Sequence, residues 1–275
     1  MNVLYCGDKN ILDGLIISVL SILKNTMENV YFYVLTMSYE GKEKSYKPLS
    51  IKDINYLDKV VKKYNKNSFI KLIDVTDIVK DKLPLANIDT RFTPYCMLRL
   101  YADLIDEIPD KILYLDNDVV CLKNPKDFYN TNNSNYELVG VLDYYGSHFY
   151  RKNILKKDYL NSGVLLLNMD LIKKTKLFEK CRNRCREKKM FLPDQAALNN
   201  YASKKLIVNR IYNEQKQDTD DTVFRHFTTT FKFWPKISTQ TIKPWHIDEL
   251  HNILKVHRFD DVLDEYKQIK EGIIK

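Results

Sequence analysis

The sequence predicts an α/β protein: a mostly parallel central sheet flanked by helices, folded as one domain. Three observations predict it. Apolar runs of strand length alternate with stretches of helical periodicity along the chain, the pattern of repeated strand, helix, strand units. The chain has 275 residues, 44% of them hydrophobic, enough to bury a sizeable core. No Ser/Gly-rich linker, internal repeat or low-complexity tract divides it. The expected organisation is a single domain over residues 1–275, with a small C-terminal helical subdomain from about 211 to 275 that packs back onto the sheet.

Each element follows from its pattern. NVLYC (2–6) is a continuous apolar run and the first strand, and the spacing from Asn10 to Lys24 is helical. VYFYVLTM (30–37) is the second strand, a helix covers 51–64, and FIKLIDV (69–75) is the third strand. A helix from Tyr95 to Ile105 leads into KILYLD (111–116), the fourth. YELVGVLD (136–143) and YLNSGVLLLNM (159–169) supply further strands, followed by helices near 171–188 and 194–203. KLIVN (205–209) and TVFRHF (222–227) are short late strands.

Composition excludes several classes. No run reaches the roughly 20 apolar residues of a membrane helix, and Met1 is followed by an apolar segment without a basic leader, so a cytoplasmic protein is expected. The five cysteines are odd in number, scattered and without CxxC spacing, which predicts reduced thiols rather than disulfides or a zinc site. The net charge is +8, but 44 basic and 36 acidic residues are interleaved throughout. Nucleic acid is therefore not the expected partner. The dense basic piece KCRNRCREKK (180–189) reads as a solvated helix face, with peripheral contact to an anionic membrane as the alternative.

The stretch that carries chemistry is KILYLDNDVVCL (111–122), where Asp116, Asn117 and Asp118 stand between two apolar runs. Ligands of open α/β sheets bind outside the carboxyl ends of the strands, and these carboxylates end a predicted central strand. Two such oxygens can converge on Mg²⁺ or Mn²⁺. A plain turn is the alternative, but unpaired carboxylates at a buried strand end are costly. Haloacid-dehalogenase-like phosphatases and nucleotide-sugar-dependent glycosyltransferases both use a strand-end pair. The phosphatase motif closes the first strand of its domain, whereas three strands precede this one.

The chain resembles the retaining family 8 glycosyltransferases, which include glycogenin and bacterial lipopolysaccharide glucosyl- and galactosyltransferases. The resemblance runs from residue 2 to about 246. NVLYCGDKN looks like the family's first strand and uridine loop, which would set Cys6, Asp8 and Asn10 against base and ribose. YCMLRLYADLI carries Arg99 at the family's nucleotide-contacting arginine, and ILYLDNDVV is similar to its metal motif. YLNSGVLLLN, with Asn161, and PDQAALN, with Asp194 and Gln195, resemble the acceptor and sugar segments. The late pattern His-x-x-Gly-x-x-Lys-Pro-Trp is matched by HFTTTFKFW at His226, Lys232 and Trp234, with Thr229 in place of Gly and Phe233 in place of Pro. KPWH (243–246) has the Lys-Pro-Trp spelling but lies beyond the usual spacing from His226, so Lys243 is the fallback for Lys232.

The resemblance implies a GT-A type, Rossmann-like fold and a UDP-sugar donor. It also implies Mn²⁺ or Mg²⁺ held by Asp116, Asp118 and His226, and transfer of glucose or galactose to a glycan or lipid-linked acceptor such as a bacterial surface polysaccharide. Lys232 would touch the diphosphate, and Gln195 would support an oxocarbenium-like sugar attacked on its front face. Asp143, Asp194 and Asn161 would hold sugar or acceptor hydroxyls. Structural alternatives stand beside several of these: a helix cap for Asp8 or Asp194, an internal carboxylate partner for Arg99, a satisfied buried amide for Asn161 and a core histidine for His226. The rival functions are a metal-dependent phosphatase with Asp116 as nucleophile and a sugar-nucleotide-binding protein without turnover.

Overall fold

A computed structural model describes residues 1–41, 45–88, 94–144, 158–232 and 238–274. In chain order the strands are β1 (Asn2–Cys6), β2 (Tyr31–Thr36), the short pair β3 (Tyr39–Glu40) and β4 (Ser45–Tyr46), and β5 (Phe69–Asp74). Then come β6 (Lys111–Leu115), β7 (Val119–Cys121), β8 (Leu138–Leu142), β9 (Leu160–Asn168) and β10 (Lys205–Ile207). The last are β11 (Phe224–His226), β12 (Thr230–Lys232) and β13 (Ser238–Gln240).

Seven of these strands form one sheet in the order β5, β2, β1, β6, β9, β8, β10. All pair in parallel except β9, which runs antiparallel to both β6 and β8. The central strands read as unbroken apolar runs because both sheet faces are covered. Val3, Leu4 and Tyr5 are fully buried.

One face packs against α1 (Leu12–Asn25), α2 (Ile51–Tyr64) and the C-terminal helix Asp260–Ile274. Every residue of α1 from Gly14 to Leu23 is buried, as befits a helix enclosed on all sides. The other face is covered by the segment Pro94–Leu104 and the helices Leu177–Glu187 and Pro193–Tyr201. Pro94–Leu104, expected as an ordinary helix, is wound as an eleven-residue 3-10 helix, a length uncommon outside constrained sites. The helix expected near 171–188 is two, Met169–Thr175 and Leu177–Glu187, separated where Lys176 adopts a left-handed φ of 55°.

Residues after 211, expected as a helical subdomain, also contain β11, β12 and β13. Val262, Leu263, Tyr266 and Ile269 of the last helix belong to the same core as Leu15, Ile16 and Val19 of α1. No helix among the described residues is long and apolar enough to cross a membrane.

Candidate active site

Parallel pairing of β1 with β6 brings the carboxyl ends of both strands to one rim of the sheet. The register of β6 on β9 sets Leu115 opposite Val164, and the next residue, Asp116, donates its N–H to the Gly163 carbonyl at 2.8 Å. The Asp116 carbonyl then accepts from Val119 N at 3.2 Å, closing the turn that carries Asn117 and Asp118. Beyond the turn, β7 pairs antiparallel with β11 and His226 falls opposite Val119. Phe227 N donates to the Asp118 carbonyl at 3.0 Å. Two strands remote in sequence thus deliver an imidazole to a pair of carboxylates.

Each of these three side chains has one polar atom engaged by the protein and one facing the others. Asp116 Oδ1 accepts from Arg99 Nη2 at 2.9 Å and from the Tyr114 hydroxyl at 2.7 Å. Asp118 Oδ2 accepts from the Lys243 ammonium. His226 Nδ1 lies 3.1 Å from Asn213 Oδ1. That leaves Asp116 Oδ2 at 3.8 Å and Asp118 Oδ1 at 3.2 Å from His226 Nε2. The three residues offer ligand atoms that all lie within 4.8 Å of one another, and Asp118 Oδ1 is buried with no hydrogen-bond partner.

A buried carboxylate oxygen without a donor is expensive, and a cation answers it. Burial pushes the Asp118 carboxyl up, but the charges of Lys243 and His226 more than offset this and hold it far below the usual carboxylate range. The donor set of two carboxylates and one imidazole, each oriented by an outer partner, fits a divalent cation such as Mn²⁺ or Mg²⁺.

Arg99 lies beneath the pair and is 2% exposed. Besides Asp116 it reaches Asp194 Oδ2 at 3.2 Å, the Cys96 carbonyl at 2.9 Å and the Ser162 carbonyl, and it stacks 3.7 Å over the Tyr114 ring. These protein partners engage every nitrogen of the Arg99 guanidinium, because burial makes it take the nearest carboxylates and carbonyls. Asp194, at the start of its helix, is also buried. Its carboxyl is pushed above the ordinary range by burial, with Arg99 opposing and Asp116 adding to the rise.

A network of amides continues from the imidazole. Asn213 Nδ2 donates to Asn161 Oδ1 at 2.9 Å, and Asn161 Nδ2 donates to Asp143 Oδ2 at 2.8 Å. Gln195 Nε2 donates to the same Asp143 oxygen at 3.2 Å, while Gln195 Oε1 accepts from Ser162 N at 2.9 Å. Asn161, Asp143 and Gln195, expected at the sugar face, are therefore one hydrogen-bonded unit tied to His226. Asn213, Tyr114 and Gly163 escaped the sequence reading. A Cβ on Gly163 would stand 2.1 Å from His226 Cε1, so the glycine is the space the imidazole fills. Gly14 does the same for the turn, since a Cβ there would meet the Asn117 carbonyl at 2.4 Å.

Around the first strand, Asp8 caps a short turn, accepting from Asn10 N at 3.0 Å and Asn10 Nδ2 at 2.8 Å. Cys6 ends β1, and its thiol is pushed up by burial, with Arg99 opposing and Asp116 and Asp194 adding to the rise. Lys232 ends β12, but its side chain and the residues Phe233 and Trp234 lie outside the described residues. Lys243, by contrast, joins the site: besides Asp118 its ammonium donates to the Phe227 carbonyl at 2.8 Å. The antiparallel hairpin of β12 and β13 lies between His226 and Lys243, and Thr229 and Thr241 meet at its base at 2.9 Å. That hairpin takes up the extra sequence that made Lys243 look too distant.

The sequence pattern of the family described as glycosyl transferase family 8 matches residues 2–238. Lipopolysaccharide 1,2-glucosyltransferase of Escherichia coli is 28% identical over 269 residues, covering 85% of this chain and 73% of that protein. Lipopolysaccharide glucosyltransferase WaaO of Escherichia coli K12 is 27% identical over 260 residues, covering 85% and 72%. Among solved structures, galactosyltransferase LgtC in complex with donor and acceptor sugar analogs superposes with a TM-score of 0.65 at 18% identity, covering 96% of each chain.

Proposed function

From the premise that the chain belongs to glycosyl transferase family 8 and is a glycosyltransferase with a GT-A-like fold, we propose that it transfers a hexose, glucose or galactose, from a UDP-sugar to a glycan or lipid-linked acceptor with retention of configuration. The observation that carries the donor side is the convergence of Asp116 Oδ2, Asp118 Oδ1 and His226 Nε2, with Asp118 Oδ1 buried and unpartnered. The relatives named for lipopolysaccharide glucosyl transfer support the choice of sugar and a surface glycan as acceptor. A cytosolic setting beside an anionic membrane face fits the net charge of +8.

The reaction asks the site to bear negative charge growing on a diphosphate as the anomeric bond breaks. Asp116, Asp118 and His226 would hold a divalent cation, which when bound supplies electrostatic stabilisation of that charge. Lys243 takes the diphosphate contact, supported by the position of its ammonium on Asp118. Gln195 Oε1 is fixed by Ser162 N, and its second lone pair faces charge development on the sugar as electrostatic support. An amide is a weaker nucleophile than the carboxylates of retaining glycosidases, so the acceptor hydroxyl attacks on the front face and the departing phosphate takes its proton. Asp143 and Asn161 orient Gln195 and the bound hydroxyls, and Cys6, Asp8 and Asn10 receive the uridine.

Calorimetric titration of UDP with and without Mn²⁺, on wild type and on Asp116→Ala/Asp118→Ala protein, tests this. Metal-dependent binding that disappears in the double variant is expected, and screening of UDP-sugars follows from it. No binding of UDP under either condition sinks the proposal.

A further inference from the structure

Adjacent to the carboxylate cluster, and sharing His226 with it, is a cavity of about 70 Å³ whose lining includes Arg225, Lys216, Thr228, Phe227 and Ile242. This is far below the roughly 300–1,000 Å³ of a pocket for a whole small ligand, so it accepts one compact group. Among the described residues lining it none is acidic. Arg225 is 7% exposed, and neither its Nε nor its Nη1 has a hydrogen-bond partner. Thr228 Oγ1, in the same lining, is also buried and unpartnered.

The other two buried arginines are not in this condition. Arg99 engages carboxylates and carbonyls with all three nitrogens, and Arg182 grips both oxygens of Asp103. For Arg225 the nearest carboxylate oxygen is Glu214 Oε1, 3.9 Å from Nη1. That oxygen already accepts from Lys216 N at 2.7 Å and pairs with Arg210. Lys216 leaves its own ammonium 3.7 Å over the Tyr144 ring. A guanidinium stays charged when buried, and its planar fork matches a carboxylate or phosphate.

We propose that Arg225 and Thr228 form a subsite for one compact oxyanion, a carboxylate or a phosphate group, next to the metal cluster. Resting on the transferase reading, the group is carried by the acceptor, which is then an anionic glycan. A free ion is the other source of the same chemistry.

The test is titration of wild type, Arg225→Met, Arg225→Lys and Thr228→Val protein with inorganic phosphate, glucuronate and glucose in metal-free buffer, with UDP and Mn²⁺ run on the same samples. Wild type is expected to bind phosphate and glucuronate saturably and glucose not at all. Loss of one charge-assisted pair weakens the anions by ~tenfold or more in Arg225→Met, with partial recovery in Arg225→Lys. Thr228→Val lowers affinity independently and carries the test if Arg225→Met does not fold. With glucose 6-phosphate titrated on the same samples, glucuronate or glucose 6-phosphate binding tighter than inorganic phosphate supports an acceptor-borne group, and inorganic phosphate binding tighter than both overturns that assignment in favour of a free ion. Wild type binding neither anion, or Arg225→Met binding both as well as wild type, overturns the subsite. UDP binding retained in that event leaves the transferase proposal standing, while anion binding without UDP binding removes the transferase proposal alone.

Discussion

The amide oxygen of Asn213 stands 3.1 Å from His226 Nδ1, and the amide nitrogen of the same residue stands 2.9 Å from Asn161 Oδ1. Asn213 therefore holds the imidazole by Nδ1 and leaves Nε2 turned toward the carboxylates. It also couples the carboxylate cluster to the amides of Asn161 and Gln195. Outer partners of this kind are worth 10–100-fold in metal affinity as an order of magnitude. Asn213→Leu is expected to weaken Mn²⁺ binding by about tenfold or more, measured by calorimetry, with the far-UV spectrum retained. Undiminished Mn²⁺ affinity would show that Asn213 only fills space.

Gly163 gives a sharper steric test. The Cβ of alanine there would stand 2.1 Å from His226 Cε1, inside any permitted contact, and Gly163 also accepts the Asp116 N–H. The backbone of β9 is locked between β6 and β8, so the imidazole must yield. Gly163→Ala is expected to cost ~1–3 kcal/mol of stability, in the range of overpacking, and to abolish detectable Mn²⁺-dependent UDP binding. A variant that folds and still binds UDP with Mn²⁺ would place the cation elsewhere.

The elements legible in the sequence were those set by local pattern. β1 and α2 fall where their runs predict, at Asn2–Cys6 and Ile51–Tyr64, because an unbroken apolar run and an amphipathic stripe are properties of the chain itself. The direction of β9 was not legible, since an apolar strand reads the same when its neighbours run against it. The break at Lys176 needed a left-handed residue that is not glycine, so no composition signal marked it. In the site, Asp116 and Asp118 stood out through residue type and their place at a strand end, and His226 only through the resemblance of its segment to the family's late pattern. Tyr114, Gly163 and Asn213 matter only through distances that folding creates. Arg99 was noticed for a buried charge, but its partners were decided by which carboxylates came within reach.

Asp194 gives the pH prediction. Its carboxyl sits above the ordinary range through burial, against the pull of Arg99, so at pH values between the unfolded and the raised native value the folded chain binds more of that proton than the unfolded chain does. Stability from this group is fully present below the unfolded value of about 3.9 and is lost as pH rises through the raised native value. The difference in urea midpoint between wild type and Asp194→Asn is expected to shift against wild type as pH climbs above about 4, since asparagine does not titrate. A difference independent of pH would mean that Asp194 titrates alike in the folded and unfolded chain.

Lys243 and Lys232 compete for one role, and a nucleotide series separates them. The Lys243 ammonium bridges Asp118 and the Phe227 carbonyl at 2.8 Å, next to the oxygens that face His226, whereas Lys232 belongs to the hairpin between them in sequence. If Lys243 meets the diphosphate, Lys243→Met should weaken UDP binding by the worth of a charged hydrogen bond, ~1.5–3 kcal/mol or about tenfold and upward. Uridine, which has no phosphate, should bind both proteins alike. Lys232→Met should leave both affinities near wild type. Equal losses for uridine and UDP in Lys243→Met would instead assign Lys243 to holding Asp118 in place, and a selective loss of UDP in Lys232→Met would return the diphosphate to the hairpin.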